Sequence, residues 1–326
     1  MLNTRLTQRF EIDHPIVLAP MAFASGGRLA AAVSQAGGFG LIGGGYGERE
    51  WLRQQFELAA GHRVGCGFIT WSLDKQPELL EFALARQPRA ICLSFGDPQP
   101  FASQIHDAGV TLMCQVQTRR DAETALDAGA DVIIAQGSEA GGHGQARGTL
   151  SLVPEIADLI AARSPDTLLC AAGGIADGRG LAAALMLGAD GVLVGSRLWA
   201  SSEANVGMRM HQAALSSSGD DTIRSRVMDI ARRLEWPEQF TARVLNNKFI
   251  QRWHGRETEL LACADAEAQN YRRAWAEGDP DNSNTFVGEA VGLIHEIEPV
   301  ARIVERMVRE AQTIITAARD LTADSK

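Results

Sequence analysis

Eight short, almost uninterrupted apolar runs punctuate the first two thirds of this chain. They begin at Pro15 (PIVLAPM), Phe39 (FGLIGGG), Val64 (VGCGFITW), Ala90 (AICLSF), Thr111 (TLMCQVQ), Asp131 (DVIIAQG), Thr167 (TLLCAAGG) and Gly191 (GVLVGS). Most starts are 20 to 26 residues apart, and one gap, between the sixth and seventh runs, is 36. Runs this short without polar alternation suit strands buried on both faces, which is the environment of a parallel sheet. The stretches between them carry helix signals. Leu29 to Ala36 is alanine-rich and stops at Gly37-Gly38, Thr118 to Asp121 reads as a capping box with Asp in place of Glu, and the helix that follows closes at Gly129. Asp177 is placed to cap a helix through Leu181, Ala184 and Leu185 that ends at Gly188. Parallel neighbours need right-handed helical crossovers, so eight such units predict a (β/α)₈ TIM barrel, with an open doubly wound sheet as the alternative.

After Ser201 the strand signals stop and charge and helix formers rise. Met208 to Leu215, Ile223 to Leu234, Glu257 to Trp275 and Val300 to Leu321 read as helices, and Gly278 to Asn284 (GDPDNSN) as a loop. The expected organisation is a TIM barrel over 1–206, a small helical domain inserted after strand eight over 207–278, and a C-terminal helix packing back on the barrel over 279–326. The formal charge of −9 comes without any basic run, which disfavours nucleic acid. Met1 to Phe10 alternates polar and apolar residues, and no stretch is long and apolar enough for a membrane span, so a cytoplasmic protein is expected. The five cysteines have no metal-ligand spacing; four sit inside apolar runs and read as core residues in a reducing compartment. No metal site is expected. Either a monomer or a homodimer fits.

In such a barrel the chemistry belongs at the C-terminal ends of the strands, and those ends are rich in glycine. Gly173-Gly174 after strand seven and Gly195-Ser196 after strand eight match the usual phosphate position, where free backbone N–H groups can approach an anion. The other candidate is His143, flanked by glycines in the longest strand-to-helix loop, where an imidazole can act as base or hydrogen-bond donor near neutral pH. Glu139 could orient it or cap a turn. Trp71, Phe23, Tyr46 and Trp199 could shape a pocket, with core packing the alternative for each.

Taken together, APMA, AVSQAGGFGLIGGG, AQGSEAGGHG, AAGGIADG and GVLVGSR resemble the nitronate monooxygenase family, formerly called 2-nitropropane dioxygenases. The resemblance spans about Pro15 to Ser201 and continues more weakly through Arg243 to Trp253 and Val287 to Val304. It implies a TIM barrel with non-covalent FMN, oxidising alkyl nitronates such as propionate 3-nitronate with O₂ to a carbonyl compound and nitrite. Carried over by motif, His143 matches the active-site histidine. Met21 and Ala22 match the segment beside the flavin ring, and Gln136 and Gly141 match flavin contacts on strand six and its loop. Gly173 and Gly174 match the first phosphate turn, and Leu193, Val194, Gly195 and Ser196 the second. Gly67 stands in a flavin-contact position where many members have Asn, and Ser196 where many have Thr. The same motifs resemble FMN-dependent enoyl-acyl carrier protein reductases and NADH:quinone reductases. An NADH-dependent reductase of quinones or enoyl thioesters is therefore the alternative, and a flavin-free barrel for a phosphate-bearing ligand is a third reading.

Overall fold

A computed structural model of the chain describes residues 2–318. All eight apolar runs form strands: Ile16–Leu18, Gly40–Gly43, Val64–Ile69, Ala90–Ser94, Thr111–Val116, Val132–Gln136, Leu168–Ala172 and Gly191–Val194. Each pairs in parallel with its neighbours, strand one lies beside strand eight, and a bridge between Val17 and Phe39 joins strands one and two. The eight-stranded sheet thus closes on itself as a TIM barrel rather than remaining open.

The barrel has two apolar layers. Val17, Leu41, Cys92, Met113, Ile134, Cys170 and Leu193 fill its interior, while the alternate side chains, such as Ile16, Ile42, Ile133 and Val194, pack under the surrounding helices. Alternation across each strand produces this division even though the sequence shows no polar alternation. The helix signals hold. Thr118 and Asp121 cap each other's backbone at the start of Arg119–Asp127, and Asp177 accepts N–H groups of Arg179 and Gly180 at the start of Gly178–Met186.

The segment Met1 to Phe10, which showed only alternation, contains a helix, Arg5–Phe10, begun by a capping box at Thr4. It plugs the barrel at the end where the strands begin, inserting Leu6 and Phe10, with the Phe10 and Phe39 rings 4.6 Å apart. Arg5 then bonds both oxygens of Asp190, each at 2.8 Å.

The reading of 207–278 as purely helical needs correction. Met208–Leu215 is a helix, but residues 222–225 form a strand, the helix is confined to Val227–Arg232, and a second strand, Thr241–Leu245, follows. The expected helix from Glu257 to Trp275 is two, Glu257–Ala262 and Ala264–Ala276. The last helix, Val300–Ala317, lays an apolar stripe of Val300, Ile303, Val304, Met307, Val308 and Ala311 against the barrel helices. It approaches Gly178 so closely that a Cβ there would lie 2.2 Å from Glu310 Cβ. Residues 319–321, expected to extend this helix, lie outside the described residues.

Candidate active site

The long loop after strand six is tied down by the segment that follows the barrel. Its short strand Gly142–Gly144 pairs antiparallel with Thr241–Leu245, placing His143 opposite Ala242, and Thr241–Leu245 pairs in turn with Thr222–Ser225. Arg224 and Arg243, on these two strands, both donate to the Ser138 carbonyl, at 3.1 and 2.9 Å. Burial, and the neighbouring Arg243, lower the Arg224 guanidinium to about 10.

That three-stranded sheet delivers the partner of the histidine. From Thr222–Ser225 the chain enters the helix Val227–Arg232, which carries Asp229. His143 Nε2 lies 2.9 Å from Asp229 Oδ2, with the two side chains only 6% and 5% exposed. A carboxylate accepts at this distance, so the neutral imidazole donates from Nε2 and Nδ1 carries the lone pair. Among the described residues Nδ1 has no protein partner. Arg232 Nη1 stands 3.9 Å from Asp229 Oδ1, and both atoms are buried without a hydrogen bond. Burial pushes His143 below its ordinary value; Asp229 pulls it back up, while Arg232 and Arg224 push it further down.

Aromatic rings enclose this group. Trp236 stacks on the imidazole with centroids 3.4 Å apart and planes 6° from parallel. Phe95 meets His143, Trp236 and Phe240 edge-on. Tyr46 and Trp71 pack on Trp236, whose indole N–H donates to the Tyr46 hydroxyl at 3.3 Å. The Arg232 guanidinium lies over the Tyr46 ring at 5.0 Å. Phe95, directly after strand four, adopts φ +66°, a left-handed conformation that a phenylalanine holds only where its surroundings enforce it. Of the four residues proposed to shape a pocket, Tyr46 and Trp71 join this wall. Phe23 packs on Trp51, and Trp199 is buried against His211.

The turns after strands seven and eight form a cradle beside it. Gly173 and Gly174 have φ of +102° and +74°. Among the described residues the backbone N–H groups of Gly173, Gly174, Gly195 and Ser196 donate to no acceptor, and all four residues are accessible. A Cβ built on Gly195 would come no nearer than 3.6 Å to Ala19 Cβ and 3.8 Å to Met21 Sδ, so the end of strand one and the eighth turn border one space. Convergent unpaired donors of this kind suit an anion.

The remaining candidates are distributed as follows. Met21 and Ala22 are half-buried at the same end of the barrel. Leu193 points into the barrel and Val194 into the outer layer, so at this turn only their backbone can face a ligand. Gly141 packs on Val287 and Gly288, and the Ser196 hydroxyl accepts the Gly288 N–H at 2.8 Å. At Gly67 a Cβ would sit 2.3 Å from Pro20 Cβ, so the Pro20 ring leaves no room for an Asn-like side chain and only backbone is available. Glu139 does not reach His143. It accepts from the Thr149 N–H and hydroxyl, both at 2.9 Å, at the start of the helix Thr149–Arg163.

Gln136 belongs to a buried amide chain: its Oε1 accepts from Gln115 and Gln117, and its Nε2 donates to the His143 carbonyl at 3.1 Å. Gln115, Gln117, Asp229 and Arg232 were not singled out in the sequence. The two glutamines had a usable signal, as polar residues ending an apolar run; Asp229, 86 residues from His143, had none. The thiols of Cys66, Cys92, Cys114 and Cys170 are buried and pushed up by that burial, Cys92 to about 12, which suits core packing rather than nucleophilic chemistry.

Comparison with known proteins agrees with this layout. The family model for nitronate monooxygenase matches residues 3–61 and 73–310. A nitronate monooxygenase of Neurospora crassa is 31% identical, covering 91% of this chain and 89% of its own length, and nitronate monooxygenase npaC of Metarhizium robertsii is 33% identical, covering 93% and 92%. Among solved structures, FabK from Thermotoga maritima superposes with a TM-score of 0.87 at 31% identity, covering 98% of this chain and 100% of its own. A nitroalkane oxidase from Streptomyces ansochromogenes, 24% identical with a TM-score of 0.80 and coverage of 96% and 99%, shares the fold. On the extent of the family match and the two relatives above 30% identity, the chain belongs to the nitronate monooxygenase family, a family of FMN-dependent oxidoreductases.

Proposed function

We propose that this protein oxidises alkyl nitronates, of the propionate 3-nitronate type, with O₂ to a carbonyl compound and nitrite, using FMN bound at the barrel mouth. What carries the reading is one juxtaposition: a buried histidine with a lone pair on Nδ1 sits in the loop after strand six, at the same end of the barrel as four N–H groups that, among the described residues, have no acceptor. The cradle fits the cofactor's phosphate, with Gly173, Gly174, Gly195 and Ser196 donating from the backbone. Met21, Ala22 and the backbone of Gly67, Leu193 and Val194 border the space for its ring system, and Gln136 and Gly141 hold the sixth-strand loop over it. When bound, FMN supplies the electron transfer between substrate and O₂.

The chain's own part is binding and proton chemistry. Burial keeps His143 neutral near pH 7, so Nδ1 can take the α-proton of a nitroalkane, and the resulting imidazolium stands beside the nitronate anion it has produced. A substrate offered as nitronate needs only the second role. The aromatic wall of Tyr46, Trp71, Phe95 and Trp236 excludes water from that exchange. His143→Ala should purify with FMN and lose turnover by about 10²-fold or more; undiminished turnover of nitroalkane and nitronate rejects the role.

A second reading is favoured by the same wall, whose large apolar rings suit a broad planar acceptor: an NADH-dependent FMN reductase of quinones or enoyl thioesters. Anaerobic mixing separates the two. Bleaching of the flavin by propionate 3-nitronate but not by NADH supports the monooxygenase, and rapid bleaching by NADH overturns it.

A further inference from the structure

Asp229 lies on a helix outside the barrel, yet its carboxylate reaches the buried imidazole at 2.9 Å. Two features separate this contact from ordinary packing. The other carboxylate oxygen, Oδ1, is buried without a hydrogen bond and meets its own helix only through Arg232 Nη1, three residues on, at 3.9 Å. The histidine backbone is fixed independently, by pairing with Thr241–Leu245 and by the Gln136 amide bonded to its carbonyl. What remains is rotation about the two side-chain bonds, which the Trp236 stack and the contact with Asp229 together set.

We propose that Asp229 is a positioning residue for His143: its carboxylate accepts the hydrogen bond from Nε2–H and so presents Nδ1 as the proton acceptor, while Arg232 supplies the countercharge that keeps the pair inside the aromatic wall. This rests on the reading of His143 as the base. When the α-C–H bond of a nitroalkane breaks, the proton passes to Nδ1, the electron pair moves into the nitro group to give the nitronate, and the positive charge gained by the ring is met by Asp229. Charge balances, and no further reactant is needed for this step. The charged and titratable groups around the ring are Asp229, Arg232 and Arg224, with the Tyr46 hydroxyl beyond Trp236. Their signs make opposite demands. Removing the negative partner makes the imidazole harder to protonate, and removing the positive one makes it easier.

The test uses the full-length protein with FMN, in the variants Asp229→Asn, Arg232→Gln and Arg232→Lys. Histidine-selective ¹⁵N NMR, with the His143 signals identified by their loss in His143→Gln, reads tautomer and titration whether or not the enzyme turns over. The wild type should show the Nε2–H tautomer. The titration should move down by about one pH unit or more in Asp229→Asn, and up in Arg232→Gln, with Arg232→Lys returning to the wild-type position. An Nδ1–H tautomer, or titrations that do not separate, overturns the proposal. Turnover then gives a second readout. Asp229→Asn should lose about 10²-fold on a nitroalkane but less than tenfold on the preformed nitronate, and the acid limb of kcat/KM should follow the NMR shift. Equal losses on both substrates would mean a merely structural role. If the wild type turns over neither substrate while the NMR shifts appear as described, the proposed reaction fails and the Asp229–His143 coupling stands.

Discussion

At the end of the barrel where the strands begin, Leu6 and Phe10 fill the opening, Phe10 packs on Phe39, and Arg5 closes the rim on Asp190 with a fully bonded carboxylate. At the opposite end, the turns leave four N–H groups without an acceptor among the described residues, and a buried histidine and aspartate meet a half-buried arginine. Among the described residues, the buried side-chain atoms without a hydrogen bond follow the same division. Apart from His14 Nδ1 they belong to Thr70, Trp71, Arg197, Asp229, Arg232, Asn284 and Glu298, all on segments that follow the strands or extend beyond the eighth. An unpaired buried polar atom costs about 1–3 kcal/mol, so the end where the strands begin is built for stability, while the other end tolerates such costs and holds the turn N–H groups that a ligand could meet.

The comparison can be broken at the plug. Phe10→Ala should cost about 3–5 kcal/mol, read as a fall in the urea midpoint, while the fraction that stays folded binds FMN as tightly as the wild type. A matching fall in FMN affinity would mean that the two ends are not independent. Gly173→Ala probes the cradle. Its φ of +102° and a Cβ placed 2.9 Å from the Gly137 carbonyl oxygen predict about 1–3 kcal/mol of local strain and a tenfold or greater rise in the Kd for FMN, against a modest change in midpoint. An unchanged Kd would remove the cradle from the argument.

The smallest effect sharpens the comparison through pH. Because burial holds His143 below its ordinary value, the unfolded chain takes up that proton first as the pH falls. The stability contributed by the neutral folded form is complete above the unfolded value of about 6.5 and is lost below it. His143→Gln should therefore flatten the acid side of the stability profile in that window. An unaltered slope would show that the site does not carry this cost.

How far the sequence foretold this molecule differs between the same two ends. Strands buried on both faces write themselves as apolar runs, so all eight were legible, as were the caps at Thr118 and Asp177, whose partners are local. The plug was not, because six residues of amphipathic helix match the alternation of a short strand. The strands 222–225 and 241–245 were hidden for another reason. Arg224 and Arg243 interrupt any apolar pattern, and their strand conformation comes from pairing with each other and, for Thr241–Leu245, with Gly142–Gly144, rather than from local preference. His143 could be singled out by its glycine setting, whereas Asp229 is one acid among many until the chain folds.

The short strand bearing His143 has a consequence for how such an enzyme can diversify. Since, among the described residues, its only antiparallel neighbour is supplied from beyond the eighth barrel strand, insertion or deletion between 222 and 245 would re-aim the imidazole without touching the barrel. The scaffold and the reagent are thus separately editable, and a change of chemistry can enter through a stretch of chain that never lines the barrel wall.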